Sequence, residues 1–216
     1  MSFIWNLKKA ISRPFTAICF LLGVTESHSQ FGEDRIIDWL MLKDNAGIEK
    51  VYKGLYIDIW GNDPINGNNT YFFYRKWWRW ISVEPNQKLI KKFQKHRSED
   101  TNLQIAAGKS NGELTFYSFE VDAVSTCDPE AAKRYQEAWH KLIDQYTVPV
   151  RSLEKICDTY ASTTQIDILS IDVEGLDMAV LESNNWDKYK PTYIIVETVE
   201  NFKWGRIKQS EIFNPY

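Results

Sequence analysis

The sequence predicts an α/β fold: a doubly wound, mainly parallel sheet with helices on both faces. Three observations predict it. Short runs rich in β-branched and aromatic residues alternate with stretches of helical period. The runs are continuously apolar rather than alternating, as in strands covered on both faces. A carboxylate stands at or just past the end of most of them, on the sheet edge where such folds bind ligands.

Residues 1–28 form an N-terminal amphipathic segment in this reading. Its "KKAISRPFTAICFLLGV" sets basic residues ahead of an apolar run too short for a bilayer, which takes ~20 apolar residues. No small-x-small cleavage site follows. Packing on the domain or a partner is the favoured role, and contact with a membrane surface is the weaker one. Residues 29–216 form the single domain. "SQFGEDRIIDWLML" places Ile36, Ile37, Leu40 and Met41 at helical spacing. Leu55–Ile59 is the first strand, by length and β-branching. Trp80–Glu84 is the second, followed by the helix "QKLIKKFQKHR". Leu103–Gly108 is the third, and Leu114–Phe119 is a short extra strand. Asp122–Thr147 reads as a polar insertion that shapes an acceptor pocket, with a helix over "PEAAKRYQEAWHKLI" starting at Pro129, a residue suited to a first turn. "SLEKICDTYA" is a helix, Asp167–Asp172 the fourth strand, "MAVLES" helical, and Thr192–Glu197 the fifth strand.

Composition narrows the function. A chain of 216 residues is one domain by default, and a net charge of -3 gives no electrostatic reason to expect a nucleic-acid partner. Cys19, Cys127 and Cys157 make no close pair, and His28, His96 and His140 are scattered. No metal site and no disulfide framework are expected, which favours a reducing, cytoplasmic compartment.

Asp58, Glu84, Asp172 and Glu197 end, or closely follow, four of the five main strands, and Glu174 lies just past the fourth. One acid at a loop start is ordinarily solvated. Several at one sheet edge imply a polar site, because burying them without a purpose costs several kcal/mol. An acid after the second strand suits the paired hydroxyls of a ribose, which makes Glu84 the candidate. The loop after Asp58 lacks both G-x-G-x-x-G and the Gly-Lys-Ser/Thr of a P-loop. That argues against NAD and ATP.

These segments together resemble the FkbM-type S-adenosylmethionine-dependent methyltransferases. The resemblance runs through "SQFGED", "DIWGNDPINGNNTY", "ISVEPN", "ST" at Ser125–Thr126, "VRSLEKI", "IDILSIDVEGLD" and "PTYIIVE". It implies a class I methyltransferase (Rossmann-like) fold and S-adenosyl-L-methionine as cofactor, with methyl transfer to a hydroxyl of a sugar or natural product. It places Asp58 and the loop Trp60, Gly61, Asn62 and Asp63 at the methionine end of the cofactor. Glu84 falls at the ribose, and Ala106 and Ala107 near the adenine. Gln30 and Glu33 would cap the pocket. Asp172 and Glu174 would face the reactive end, with Asp172 the first candidate for the base and Glu174 the second. Asn69, Ser125, Thr126 and Glu197 would meet the acceptor. Structural roles compete at several of these: Asp172 capping the next helix, Glu174 bonding loop backbone, and Ser125 and Thr126 capping a helix.

The sequence departs from that family in two ways. Trp60, Trp77 and Trp80 stand where it has Gly, and Gly serves such loops by close approach or positive φ. A gene that uses UGA for Gly, translated with UGA as Trp, gives this pattern. Genuine divergence gives it too, either as a pocket reshaped around Trp or as a non-catalytic binding module whose cofactor loop Trp60 blocks. The second departure is a C-terminus short of the closing strand pair, so the domain is expected to be truncated and poorly soluble.

Overall fold

The computed structural model describes residues 27–44, 53–161 and 165–196. The expectations for residues 1–26, for Glu197 and for the C-terminal end lie outside these residues. Five strands form the central sheet: β1 (Leu55–Ile59), β2 (Arg79–Val83), β3 (Thr101–Leu103), β7 (Ile168–Ile171) and β8 (Tyr193–Val196). Their order is β3-β2-β1-β7-β8, and every pair is parallel. The predicted fold class is borne out. Strand order reverses between β1 and β7, where Asp58 lies in register with Ser170.

Burial on both faces explains the continuous apolar runs. Ile57, Ile59, Ile81, Val83, Leu169 and Ile171 belong to one packed cluster. Tyr56, Ile168, Phe73 and Trp78 belong to a second, which Ile37 joins from α1 (Glu33–Asp44). Leu40 and Met41 pack beside it, so the helical stripe read from the sequence does face the sheet. A short helix, α2 (Tyr71–Arg75), separates β1 from β2. Helix α3 (Gln87–His96) begins at Asn86, whose side chain accepts from the N–H groups of Lys88 and Leu89 at 2.9 and 3.4 Å. Leu89, Ile90 and Phe93 are its buried face.

A second sheet corrects two expectations. The predicted third strand is two: β3 ends at Leu103, and β4 (Ala106–Ala107) then pairs with β6 (Leu142–Arg151) instead. Most of the supposed polar insertion is structured. It holds a 3₁₀ turn (Asp122–Val124), helix α4 (Pro129–Glu137) and the first part of β6, which runs antiparallel to β5 (Gly112–Phe119). Helix α4 stops at Glu137, short of the expected end, and the chain re-enters as strand at Leu142. Strand β6 escaped notice because water covers much of it: Ile143, Asp144, Gln145, Thr147 and Pro149 are exposed, while Val148 and Val150 are buried. The cross-strand pair Phe116–Tyr146, with ring centroids 5.2 Å apart, ties β5 to β6. Helix α5 (Leu153–Tyr160), capped by Ser152, precedes β7, and α6 (Asp177–Glu182) follows it. Among the described residues no helix is long and apolar enough to cross a membrane.

Candidate functional site

A cleft of about 150 Å³ opens at the carboxyl ends of β1 and β7, at the point where strand order reverses. The strands themselves contribute Asp58 and Ser170. The loop after β1 contributes Trp60, Gly61, Asn62, Gly67, Asn68 and Asn69, and the loop after β7 contributes Asp172 and Glu174. Gln30 reaches it from the N-terminal turn, and Asp122 and Ala123 from the 3₁₀ turn.

The loop after β1 is folded around buried polar groups. Asp58 Oδ2 accepts from Asn68 Nδ2 at 2.9 Å and from Thr70 Oγ1 at 2.8 Å, with Arg97 Nη1 at 3.5 Å. Arg97 is wholly buried and donates to Pro64 O, Thr70 Oγ1 and Asn68 Oδ1. Asn68 also donates to Gly61 O and accepts from the N–H groups of Thr70 and Tyr71. Gly61 has no room for a side chain: a Cβ there would lie 2.6 Å from Asp58 Oδ2 and 2.7 Å from Asn68 Nδ2. Asp63 is turned into its own loop, accepting from Ile65 N and Asn66 N, and does not line the cleft.

Glu84, just past β2, is fully buried. Its carboxyl accepts from Asn86 N at 2.8 Å and Asn62 N at 3.2 Å. Burial pushes its pKa up to about 8, against the opposing pull of those two N–H groups. It does not line the cleft, and neither do Ala106 and Ala107, both wholly buried. Trp60 lines the cleft and also packs into the core. Its φ is 70°, it is 5% exposed, and it packs in the same cluster as Val83, Ala106, Ala107 and Phe116, its ring centroid 5.7 Å from that of Phe116.

On the other side, the Asp172 N–H donates to Ile59 O at 3.2 Å, which fixes the loop after β7 to the end of β1. The helix that follows is tied by Asp177, whose carboxylate accepts from Val173 N at 3.0 Å and Gly175 N at 3.3 Å. The N-cap position of that helix is Leu176, so the capping role considered for Asp172 is not its role, and Asp177 braces the preceding loop. Glu174 takes a left-handed φ of 52°, receives a hydrogen bond from the Tyr135 hydroxyl on α4, and has its carbonyl bonded by Thr126 Oγ1 at 3.0 Å.

Besides Glu84, Ala106 and Ala107, four expected site residues stand away from the cleft for identifiable reasons. Ser125 is buried, and its Oγ accepts from Phe119 N at 3.1 Å. Thr126 bonds Glu174 O and accepts from Asp128 N, and it is Asp128 that caps α4. Glu33 accepts from Phe31 N at 2.7 Å in the turn before α1, and burial raises its pKa. Asp63 is the fourth. Asn69 does line the cleft, with its Nδ2 donating to Ser170 Oγ at 3.1 Å. The sequence reading missed Asn68, Ser170, Gly67 and Asp122. Ser170 carried a signal, since it is the one polar residue inside "ILSI" and stands in register with Asp58. Asn68 carried none, because "NGNNT" reads as an ordinary turn.

Among the described residues no group of three or more His, Cys, Asp or Glu is placed to hold a metal ion. Compared with known proteins, residues 58–210 match the family model described as Methyltransferase FkbM domain. No curated protein and no solved structure matches.

Proposed function

The chain belongs to the FkbM methyltransferase family, and from that premise we propose that it transfers a methyl group from S-adenosylmethionine to a hydroxyl oxygen of a sugar or natural-product acceptor. The observation that supports this reading is Asp172. It lines a cleft at the reversal of strand order, together with Asn69 and Glu174. Methyl transfer to a hydroxyl is an in-line displacement from an activated sulfonium, so positioning does most of the work. The acceptor proton must leave during attack, and a carboxylate within reach takes it. Asp172 fills that role, because Glu174 is engaged by Tyr135 and its strained backbone is pinned by Thr126.

The residues fit half of the cofactor. Gln30, Asn62, Asn69 and Asp172 line the cleft and suit the charged methionine end. The adenosine end does not fit. Glu84, Ala106 and Ala107 are closed off, and the cleft's 150 Å³ falls below the roughly 300–1,000 Å³ of ordinary small-molecule sites. As the chain stands, with Trp60 in place, the whole cofactor is not accommodated.

The test is methyl transfer by the Trp60→Gly protein, with isotopically labelled S-adenosylmethionine and a panel of mono- and oligosaccharides. Asp172→Asn in that background is expected to lose about 10²–10⁴-fold in rate while keeping its affinity for S-adenosylhomocysteine. An unchanged rate in the Asp172→Asn protein would remove Asp172 as the base. Transfer to amine or thiol acceptors with none to hydroxyls would overturn the oxygen specificity.

A further inference from the structure

Five non-glycine residues among those described have φ in the left-handed region: Trp60 (70°), Asn62 (53°), Trp77 (68°), Trp139 (67°) and Glu174 (52°). Asn is a usual occupant of that region, and a bulky side chain is an outlier there. Three of the five are Trp, although Trp supplies 9 of the 216 residues. Chance placement does not account for that excess.

Two of the three occupy the same position in the same motif. After α2, Trp77 N donates to Tyr74 O at 3.0 Å and Trp78 N reaches back to Phe73 O at 3.1 Å. After α4, Trp139 N donates to Gln136 O at 3.1 Å and His140 N to Tyr135 O at 2.9 Å. Each pair of bonds is a Schellman motif, whose left-handed residue is ordinarily Gly. Little packing offsets the strain at either position. Trp139 is 94% exposed and Trp77 is 64% exposed, the latter with the Arg79 guanidinium 5.4 Å from its ring centroid.

Other Trp side chains are anchored. Trp78 is buried, lies 5.0 Å from the Phe73 ring, and covers Gly54, where a Cβ would meet its ring at 2.2 Å. Trp186 Nε1 donates to Leu181 O at 3.1 Å. Trp80 sits in β2 with its Nε1 donating to Tyr160 O at 3.2 Å. The backbone therefore removes Trp80 from the group suspected on sequence grounds and adds Trp139. Trp60 is the third member. It has the same backbone signature, and it both lines the cleft and packs in one cluster with Ala106 and Ala107, which do not line it.

We propose that positions 60, 77 and 139 are glycine in the protein as its own cell makes it, encoded by UGA read as glycine. Without the indole at position 60, the cleft extends to Glu84 and Ala106–Ala107 and takes a whole S-adenosyl cofactor. The cofactor clause rests on the proposed methyltransferase function. The glycine clause stands on backbone geometry alone.

The gene's codons and the mass of the protein isolated from its source test the glycine clause: UGA at all three positions with glycine masses is expected, and UGG at any of them overturns it. Stability tests the backbone argument away from the cleft. Trp77→Gly and Trp139→Gly are each expected to raise the melting temperature by about 2–4 °C in a domain of this size, and a fall in both would overturn it. Titration with S-adenosylhomocysteine tests the cofactor clause. Trp60→Gly is expected to bind at least 10-fold more tightly than the Trp60 chain. UGA codons without any such gain would overturn the enlarged cofactor site while upholding the glycine assignment.

Discussion

Glu84 makes stability depend on pH in a way that one substitution isolates. Its carboxyl is fully buried, and its pKa rises from 4.5 to about 8 because burial outweighs the two N–H groups it accepts from. Below pH 4.5 it is protonated in folded and unfolded chains alike. Between 4.5 and 8 the unfolded chain has released the proton and the folded one still holds it, so stability falls as pH rises. Above 8 both are ionised and the decline ends. At about 1.4 kcal/mol per pH unit, the interval amounts to of order 5 kcal/mol. For a chain of this size that corresponds to on the order of 10 °C in melting temperature. Glu84→Gln removes the titration while keeping the shape. Its amide faces one of the two N–H groups and so carries a constant penalty, which makes the slope the informative quantity and the offset uninformative. Across pH 4.5–8.5 the Glu84 protein is expected to lose stability relative to Glu84→Gln as pH rises to 8, and the two thermal-melt profiles to run parallel above pH 8. Parallel profiles throughout would show that the Glu84 carboxyl is already ionised in the fold, refuting the argument from burial. A ribose diol donating to this group favours its ionised form, so cofactor binding to the Trp60→Gly protein near pH 7 is expected to release a proton, readable as a dependence of the binding heat on buffer ionisation.

Other substitutions probe the loop after β1. Arg97→Met leaves Asp58 buried without its cation and is expected to cost about 3–5 kcal/mol in urea unfolding, with Asp58→Asn in the same protein recovering much of it. Gly61→Ala drives a methyl into Asp58 and Asn68, so it is expected to displace the loop, lower the melting temperature and abolish S-adenosylhomocysteine binding in the Trp60→Gly background. Asn86→Ala removes the cap of α3 and is expected to cost about 1 kcal/mol by denaturant titration, with no change in the slope against denaturant concentration.

The sheet was legible in the sequence because strands buried on both faces must be largely apolar, and Leu55–Ile59 and Ile168–Ile171 are apolar apart from Asp58 and Ser170, the two that line the cleft. Strand-end acids located the edge that carries the cleft for the same reason: a buried sheet tolerates charge only where its strands stop. Strand β6 was hidden, since one side of "LIDQYTVPVR" faces water and leaves a polar surface pattern. The site was legible as a set of loops but not as a set of side chains. Ser125 and Thr126 sit next to the right turn, yet their hydroxyls are consumed by Phe119 N and Glu174 O. Hydrogen-bond allocation of that kind depends on which backbone groups arrive from elsewhere in the chain. The suspect Trp residues show the same limit from the other side. Trp80 resembled Trp77 in a one-dimensional pattern, and φ separates them.

The rim of the cleft is shared by two stretches far apart in the chain. Ser29 bridges to Gly67, and the Asn68 amide donates to His28 O at 2.8 Å. That amide is an internal clock for the rim. Its hydrogen can exchange with solvent only when the N-terminal turn lifts, whereas amides of β1 and β7 wait for the sheet itself to open. The ratio of the two exchange rates therefore measures how often the entrance moves while the scaffold stays closed, and a ligand seated beneath the rim would slow the first without touching the second.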